Sequence, residues 1–403
     1  RARADGRDMT FDSLWSALEP IGRDPHSGGY RRFAWTDEDA TLREWFASES
    51  AARGLDLTLD RAGNQWAWSG DPDADGPGVV LGSHLDSVPD GGAFDGPLGV
   101  VSAFAALDAI RSKGFRSSRP IGIVNFGDEE GARFGIACAG SRLITGALDA
   151  DRARSLTDAD GQSLGEAMTR AGHAPAALGR DDETLGRIAT FVELHVEQGR
   201  ALVDLDRAVA VGSSIRPHGR WRIEVPGEAN HAGTTLMADR QDAMVAFAEV
   251  VLAARAAAHR HGGVATCGKV RVAPNGVNAI PSHVTAWLDA RAATAAQVKA
   301  IVAVVQRAVE YHGGTVTEES WTGSTDFPPA LAHQLAAGLD DAPVLDTGAG
   351  HDAGILAAAG VPTAMLFVRN PTGVSHSPAE HAERADCLAG VDALATVLET
   401  LTA

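Results

Sequence analysis

Three things are scarce in this 403-residue chain. Cysteine occurs only at Cys138, Cys267 and Cys387. The number is odd and the spacing fits no cysteine metal site, which excludes a disulfide framework and predicts reduced thiols in a cytoplasmic protein. Long apolar runs are missing as well. At 44% hydrophobic residues no stretch reaches the roughly eighteen needed to span a bilayer, so the sequence predicts a soluble chain. Basic charge is the third shortage, since 35 Lys and Arg face 53 Asp and Glu for a formal net charge of −18. Nucleic acids and anionic membranes are bound by basic surfaces, so neither is expected as a partner, and any substrate carboxylate must be met by a local arginine. The arginine-rich start lacks an apolar h-region and a cleavage pattern, so no secretion signal is predicted, and Arg1 to Asp8 reads as a ragged start before Met9.

What is present is a concentration of ligand-type side chains. Val79–Leu81 reads as a buried parallel strand that delivers His84 and Asp86 at its carboxyl end, where open α/β sheets place their sites. Alternation turns His84 and Asp86 the same way, so a carboxylate can take the second imidazole N–H and fix the tautomer for metal binding. Asp95 follows in a glycine-rich loop (Gly91, Gly92, Gly96, Gly99) before a helix over Val100–Ile110, and a carboxylate there can bridge two ions. A second strand, Ile121–Phe126, ends in Gly127, Asp128, Glu129 and Glu130; adjacent glutamates diverge on extended backbone, leaving one to ligate and one to act as a base. His195 ends a third apolar strand in FVELHVEQG, and His376 lies in the loop GVSHSPAEH. Taken singly, each has an ordinary reading as a satisfied histidine or a solvated acidic turn. Together they are the inventory of a two-metal hydrolase, in which the ions activate water and clamp the oxyanion while a free carboxylate moves the proton.

Between Gly212 and Gly323 the pattern becomes self-contained: strand RWRIEV, helix Asp239–His261, strands Val264–Val272 and His283–Arg291, helix Ala295–His312 and strand Gly314–Trp321. This β-α-β-β-α-β order predicts a ferredoxin-like insert. In the insert, His231 lies in GEANHAGTT, Asn278 in NAIPS, and Trp287, Asp289 and Arg291 share a strand face in WLDAR. Arg291 there has two readings, a surface pair with Asp289 or a fork for a substrate carboxylate. Asp346–Asp352 reads as a glycine loop capping a helix and contains His351.

The ordered motifs GSHLDS, GAFDG, DEEGARF, LHVEQG, GEANHAGTT, NAIPS, DAR, GHDA and SHSPAE, from about Gly29 to Glu383, resemble the M20 metallopeptidase superfamily. Within it they resemble the amidase, hydantoinase and carbamoylase group: N-carbamoyl-L-amino acid hydrolases, β-ureidopropionases and allantoate amidohydrolases. The resemblance implies an α/β fold, a mixed-sheet catalytic domain like that of the zinc exopeptidases with an inserted lid and dimerisation domain, and so a discontinuous catalytic domain of residues 9–211 plus 324–403 around an insert of 212–323, with hinges near Gly212 and Gly323. It implies that two divalent ions, Zn²⁺ or Mn²⁺, are held by His84 with His195 and by Glu130 with His376, bridged by Asp95. Glu129 is then the general base and Asp86 its supporting carboxylate. His195 stands where plain peptidases of the superfamily usually carry aspartate, which favours the amidase branch, and Gln198 would face the substrate. By the same resemblance His231 stabilises the oxyanion from the neighbouring subunit of a homodimer, Asn278 and Arg291 grip the substrate carboxylate, and His351 lines the cavity.

The expected function is a metal-dependent amidohydrolase that cleaves the C–N bond of a ureido group on a small carboxylate, allantoate or an N-carbamoyl-L-amino acid, releasing ammonia and carbon dioxide. An N-acyl amino acid deacylase or exopeptidase would use the same chemistry, and a non-catalytic metal-binding scaffold is the alternative from another class. Arg216, His218 and Arg220 match neither substrate pattern.

Overall fold

The expected metal ligands His84, Asp95, Glu130, His195 and His376 all lie in the first of two compact units, so that unit's sheet decides their geometry. The structure, a computed structural model, describes residues 6–403. Of the segment read as a ragged start, residues 1–5 lie outside the described residues, and a helix Gly6–Leu18 follows. One unit comprises the chain up to Ser214 together with Asp326–Ala403, and the other is Ile215–Thr325. The division falls slightly later than Gly212 and Gly323.

In the first unit four strands run parallel at the centre of a mixed sheet, in the order Ile121–Phe126, Gly78–His84, Ile188–Val196 and Thr363–Val368. Antiparallel strands flank them: Gln65–Ser69 and then Asp56–Leu59 on one side, Val209–Ile215 on the other. Gly78–His84, Ile121–Phe126 and Thr363–Val368 are buried along their whole length, as continuous apolar runs in a covered parallel sheet must be. Register then aligns their carboxyl ends. His84 pairs with Phe126, Gly82 with Glu193, and Phe367 with His195, so His84, the Gly127–Glu130 turn and His195 emerge side by side.

Helix Pro97–Ser112 starts with Pro at its first turn, where the missing N–H costs nothing, and is apolar nearly all round. Its buried residues join one core with those of Asp37–Ala52 and Arg384–Thr402. Gly99 sets how closely the helix lies on the sheet: a Cβ there would sit 2.3 Å from the Leu194 carbonyl oxygen and 2.8 Å from Ser83 Cβ. That approach holds Asp95, four residues earlier, over the strand ends.

The second unit is a four-stranded antiparallel sheet in the order Thr315–Thr322, His218–Pro226, His283–Ala292 and Gly263–Ala273, packed on helices Ala243–His261 and Ala295–Tyr311. The two central strands alternate between buried and half-buried positions, so one face meets the helices. The first helix begins at Ala243 rather than Asp239, because the Asp242 side chain accepts from the Met244 and Val245 amides and caps it there, while Met237–Asp239 is a separate 3-10 turn. The second is closed by a capping box in which Thr294 and Gln297 satisfy each other's backbone amides. No described helix is long and apolar enough to cross a membrane.

Gly99→Ala is expected to destabilise the protein by about 1–3 kcal/mol, the cost of overpacking a site whose obstacles are largely backbone. Denaturant unfolding checks this, and an unchanged midpoint would contradict the close helix–sheet approach.

Candidate metal centre

His84 is fully buried, and its ring is fixed by the main chain: Nδ1 lies 3.1 Å from the Asp86 carbonyl oxygen. The carboxylate the sequence placed there is slightly farther, with Asp86 Oδ1 at 3.4 Å. That carboxylate instead accepts from the backbone amides of Glu129 at 3.1 Å and Glu130 at 3.0 Å, so Asp86 holds the turn that carries both glutamates. His195 is fixed in the same manner, Nδ1 to the Val196 carbonyl at 2.9 Å. Each ring therefore keeps its Nε2 lone pair available. Both Nε2 atoms are buried without a hydrogen-bond partner, and both face Asp95 Oδ1, at 3.5 Å from His84 and 3.1 Å from His195.

Asp95 Oδ2 looks the other way. It lies 3.5 Å from His376 Nε2, which is in turn 3.6 Å from Glu130 Oε1. Two groups result, His84–Asp95–His195 and Asp95–Glu130–His376, each with its donor atoms within 4.8 Å of one another and both sharing Asp95. Glu129 belongs to neither group; its Oε2 is 3.9 Å from His84 Nε2 and its Oε1 accepts from the Cys138 thiol at 3.3 Å. The glutamates separate because the chain bends, with Asp128 in the left-handed region at φ 55°, and not because an extended strand alternates.

The electrostatics show what this cluster lacks. Burial pushes Glu129 and Glu130 well above the usual carboxylate range; His84 partly offsets the rise at Glu129, and Asp95 adds to it at Glu130. Burial also works to raise Asp95, but His195 and His84 hold it well below its ordinary value. Burial opposes the charged form of His84, yet Glu129, Asp86 and Asp95 raise its pKa well above the ordinary imidazole value. Buried acids in such density need cations. Paired imidazole nitrogens without partners beside a shared carboxylate suit divalent Zn²⁺ or Mn²⁺, so the residues present fit a pair of such ions.

Gln198 sits in this cluster: Nε2 donates to Asp95 Oδ2 at 2.8 Å and to Ser375 Oγ at 3.1 Å, and Oε1 is buried without a partner. The buried His351 ring packs 4.5 Å from that of His195. In the second unit, Asn230–His231 pairs with Ala279–Ile280, and the Ala232 amide donates to the Asn278 carbonyl, so the structure brings His231 and Asn278 together. Arg291 forms a two-pronged pair with Asp289 at 2.7 and 2.9 Å, which Arg220 approaches at 3.6 Å.

Several residues of the centre escaped the sequence reading. Glu193 is wholly buried, accepting from Ser83 Oγ at 2.7 Å and the Ala353 amide at 3.0 Å. Burial and Glu193 drive Asp352 up to about 8, beside its bond from Ser141. Glu380 accepts from the Phe94 and Asp95 amides, each at 2.9 Å. A carboxylate inside an apolar strand was the available signal for Glu193, and the acid two residues after the Ser377–Pro378 step for Glu380.

Residues 80–400 match Peptidase family M20/M25/M40. The chain is 36% identical to N-carbamoyl-L-amino acid amidohydrolase of Geobacillus stearothermophilus, over 95% of this chain and 96% of that protein. It is 33% identical to allantoate amidohydrolase of Escherichia coli strain K12, with 95% of each covered. Among solved structures, the amidase of the hydantoinase/carbamoylase family from Burkholderia vietnamiensis superposes with a TM-score of 0.89 at 31% identity, covering 99% of this chain and 97% of that one.

Zn²⁺ or Mn²⁺ added to chelator-stripped protein is expected to raise its thermal midpoint, by about 2.7 kcal/mol of stabilisation at a hundredfold excess over Kd. His84→Ala should lose most of that shift. Protons compete for the same imidazoles, and the neighbouring carboxylates hold the pKa of His84 well above the ordinary imidazole value, so the shift should begin to shrink already above the ordinary histidine range as pH falls. A midpoint indifferent to both ions would contradict the centre.

Proposed function

Because the chain belongs to Peptidase family M20/M25/M40, we propose that it cleaves the C–N bond of a ureido group on a small carboxylate, allantoate or an N-carbamoyl-L-amino acid. At the coarser level it is a hydrolase acting on carbon–nitrogen bonds other than peptide bonds, as its relatives are. The single observation that carries the proposal is the pair of donor groups meeting at Asp95 with His195 as a donor.

His84 and His195 would hold one ion, Glu130 and His376 the other, with Asp95 between them. When bound, the pair supplies Lewis acidity toward the scissile carbonyl and lowers the pKa of the attacking water. Glu129 takes the proton from that water and passes it to the departing nitrogen. Its position supports this: it stands outside both donor groups, next to His84, with its amide held by Asp86. Ammonia leaves, and the carbamate left behind breaks down to carbon dioxide and the amine. Gln198 and His351 would line the substrate position.

The second unit supplies recognition in this reading. Asn278 and the Arg291 fork would take the substrate carboxylate, Arg291 exchanging Asp289 for it. His231 would stabilise the oxyanion from the partner subunit of a homodimer. Its ribbon supports a shared interface, since Leu236, Met237 and Val277 nearby are all exposed apolar side chains. The three unbridged cysteines agree with a reducing, cytoplasmic setting.

The test is ammonia release by metal-reconstituted protein against allantoate, several N-carbamoyl-L-amino acids, N-carbamoyl-β-alanine and N-acetyl amino acids. Release from one ureido substrate supports the proposal, whereas amine from acyl compounds alone replaces it with a deacylase. Glu129→Gln should keep both ions and lose about 10²–10⁴-fold in turnover.

His231→Ala should lower kcat by about 10²–10³-fold without loss of metal. Mixing it with Glu129→Gln under subunit exchange should restore part of the activity, since a mixed dimer holds one complete site. No recovery would refute the contribution of His231 across the interface.

A further inference from the structure

Glu380 is a buried carboxylate that the mechanism leaves unused. Its Oε1 accepts both the Phe94 and Asp95 amides at 2.9 Å, and its Oε2 lies 3.2 Å from Ser375 Oγ. One side chain thus joins two loops across 285 residues of sequence, one carrying Asp95 and the other carrying His376 and Glu380 itself. The chain is shaped to admit it. At Gly92 a Cβ would fall 2.3 Å from Glu380 Oε1 and 2.5 Å from its Cδ. The Glu380 amide turns back to the Ser377 carbonyl, and the His381 ring meets Phe94 edge-on at 5.9 Å.

Ser375 extends the connection. Its hydroxyl receives Gln198 Nε2 at 3.1 Å, which leaves its single proton to be shared between Glu380 Oε2 and Asp95 Oδ2, both at 3.2 Å. The next residue, His376, is a non-glycine held in the left-handed region at φ 54°, a conformation that persists only where its surroundings impose it. By contrast, the rings of His84 and His195 are set by carbonyls of their own strand segments and do not involve Glu380.

We propose that Glu380 is a positioning residue that sets chiefly the second donor group, in which it ties two of the three members by their loops and only Asp95 is shared with the first, so that Asp95, Glu130 and His376 converge on their ion. The inference rests on the two-ion reading. It makes occupancy of the second position depend on a carboxylate that touches neither ion nor substrate.

The experiment is metal titration of chelator-stripped full-length protein with Mn²⁺ and Zn²⁺, read by equilibrium dialysis and, for Mn²⁺, by the spin–spin coupling of the ion pair in electron paramagnetic resonance. Wild type should take two ions. Glu380→Ala should bind the second ion about 10–100-fold more weakly, with loss of the coupled signal, the usual scale for removing an outer-shell partner, and the first, which depends on the altered loops only through Asp95, with a distinctly smaller loss. Glu380→Gln should recover the pair, because its amide oxygen still accepts both N–H groups and its nitrogen can donate to Ser375. Gly92→Ala should reproduce Glu380→Ala. Two ions bound with unchanged affinities by folded Glu380→Ala would overturn the proposal, as would equal weakening of both ions in the Ala and Gln variants. Should Glu380→Ala fail to fold, Ser375→Ala decides: a weakened second ion supports the proposal and an unchanged one overturns it. A wild-type protein that takes only one ion would overturn the two-ion reading and this inference with it.

Discussion

The two oxygens of Asp95 organise the centre. One faces the paired imidazoles of His84 and His195, the other faces His376 and, through it, Glu130. A carboxylate in that position must be delivered by a loop that lies close over the ends of the parallel strands, and the rest of the first unit serves that requirement. The helix beginning at Pro97 approaches the sheet closely, the three central strands finish in register, and the glycine-rich loop leaves space for what surrounds it.

Concentrating so many acids in one buried volume has a cost that the protein alone does not offset. Burial and mutual proximity push Glu129 and Glu130 well above the usual carboxylate range and, against the effect of its own burial, the neighbouring carboxylates raise His84 above the ordinary imidazole value. Divalent cations reverse the logic, because they favour ionised carboxylates and neutral rings. The apolar layers supply the scaffold, and the two donor groups at its strand ends are arranged as places where cations could offset the buried acids.

Much of this was legible in the sequence, for identifiable reasons. Uniformly apolar strands ending in polar residues reveal where a parallel sheet opens, so His84, Glu130 and His195 could be placed at one edge without coordinates. Strict alternation in RWRIEV and HVTAWLDAR gave the antiparallel insert. What stayed hidden was the network behind the ligands. Periodicity reports which face a residue occupies, not which loop 285 residues away will meet it, so Glu380 remained invisible as a clamp. The role of Asp86 was read from side-chain direction, whereas the strand stops at His84 and the carboxylate turns to the amides of Glu129 and Glu130. The sequence pattern starts the insert's first helix at Asp239, whereas Met237–Asp239 forms a separate 3-10 turn and the side chain of Asp242 decides where helical hydrogen bonding begins.

The main-chain anchoring of His84 and His195 has a wider consequence. Every residue brings a carbonyl whatever its side chain, so the tautomer of His195 is written into the course of the polypeptide, and that of His84 into the polypeptide with the Asp86 carboxylate beside it. Substitution at Val196, whose side chain belongs to the apolar core, can alter the packing behind the centre while the carbonyl that holds His195 Nδ1 stays in place. A ring aimed in this way keeps its direction while the packing behind it drifts.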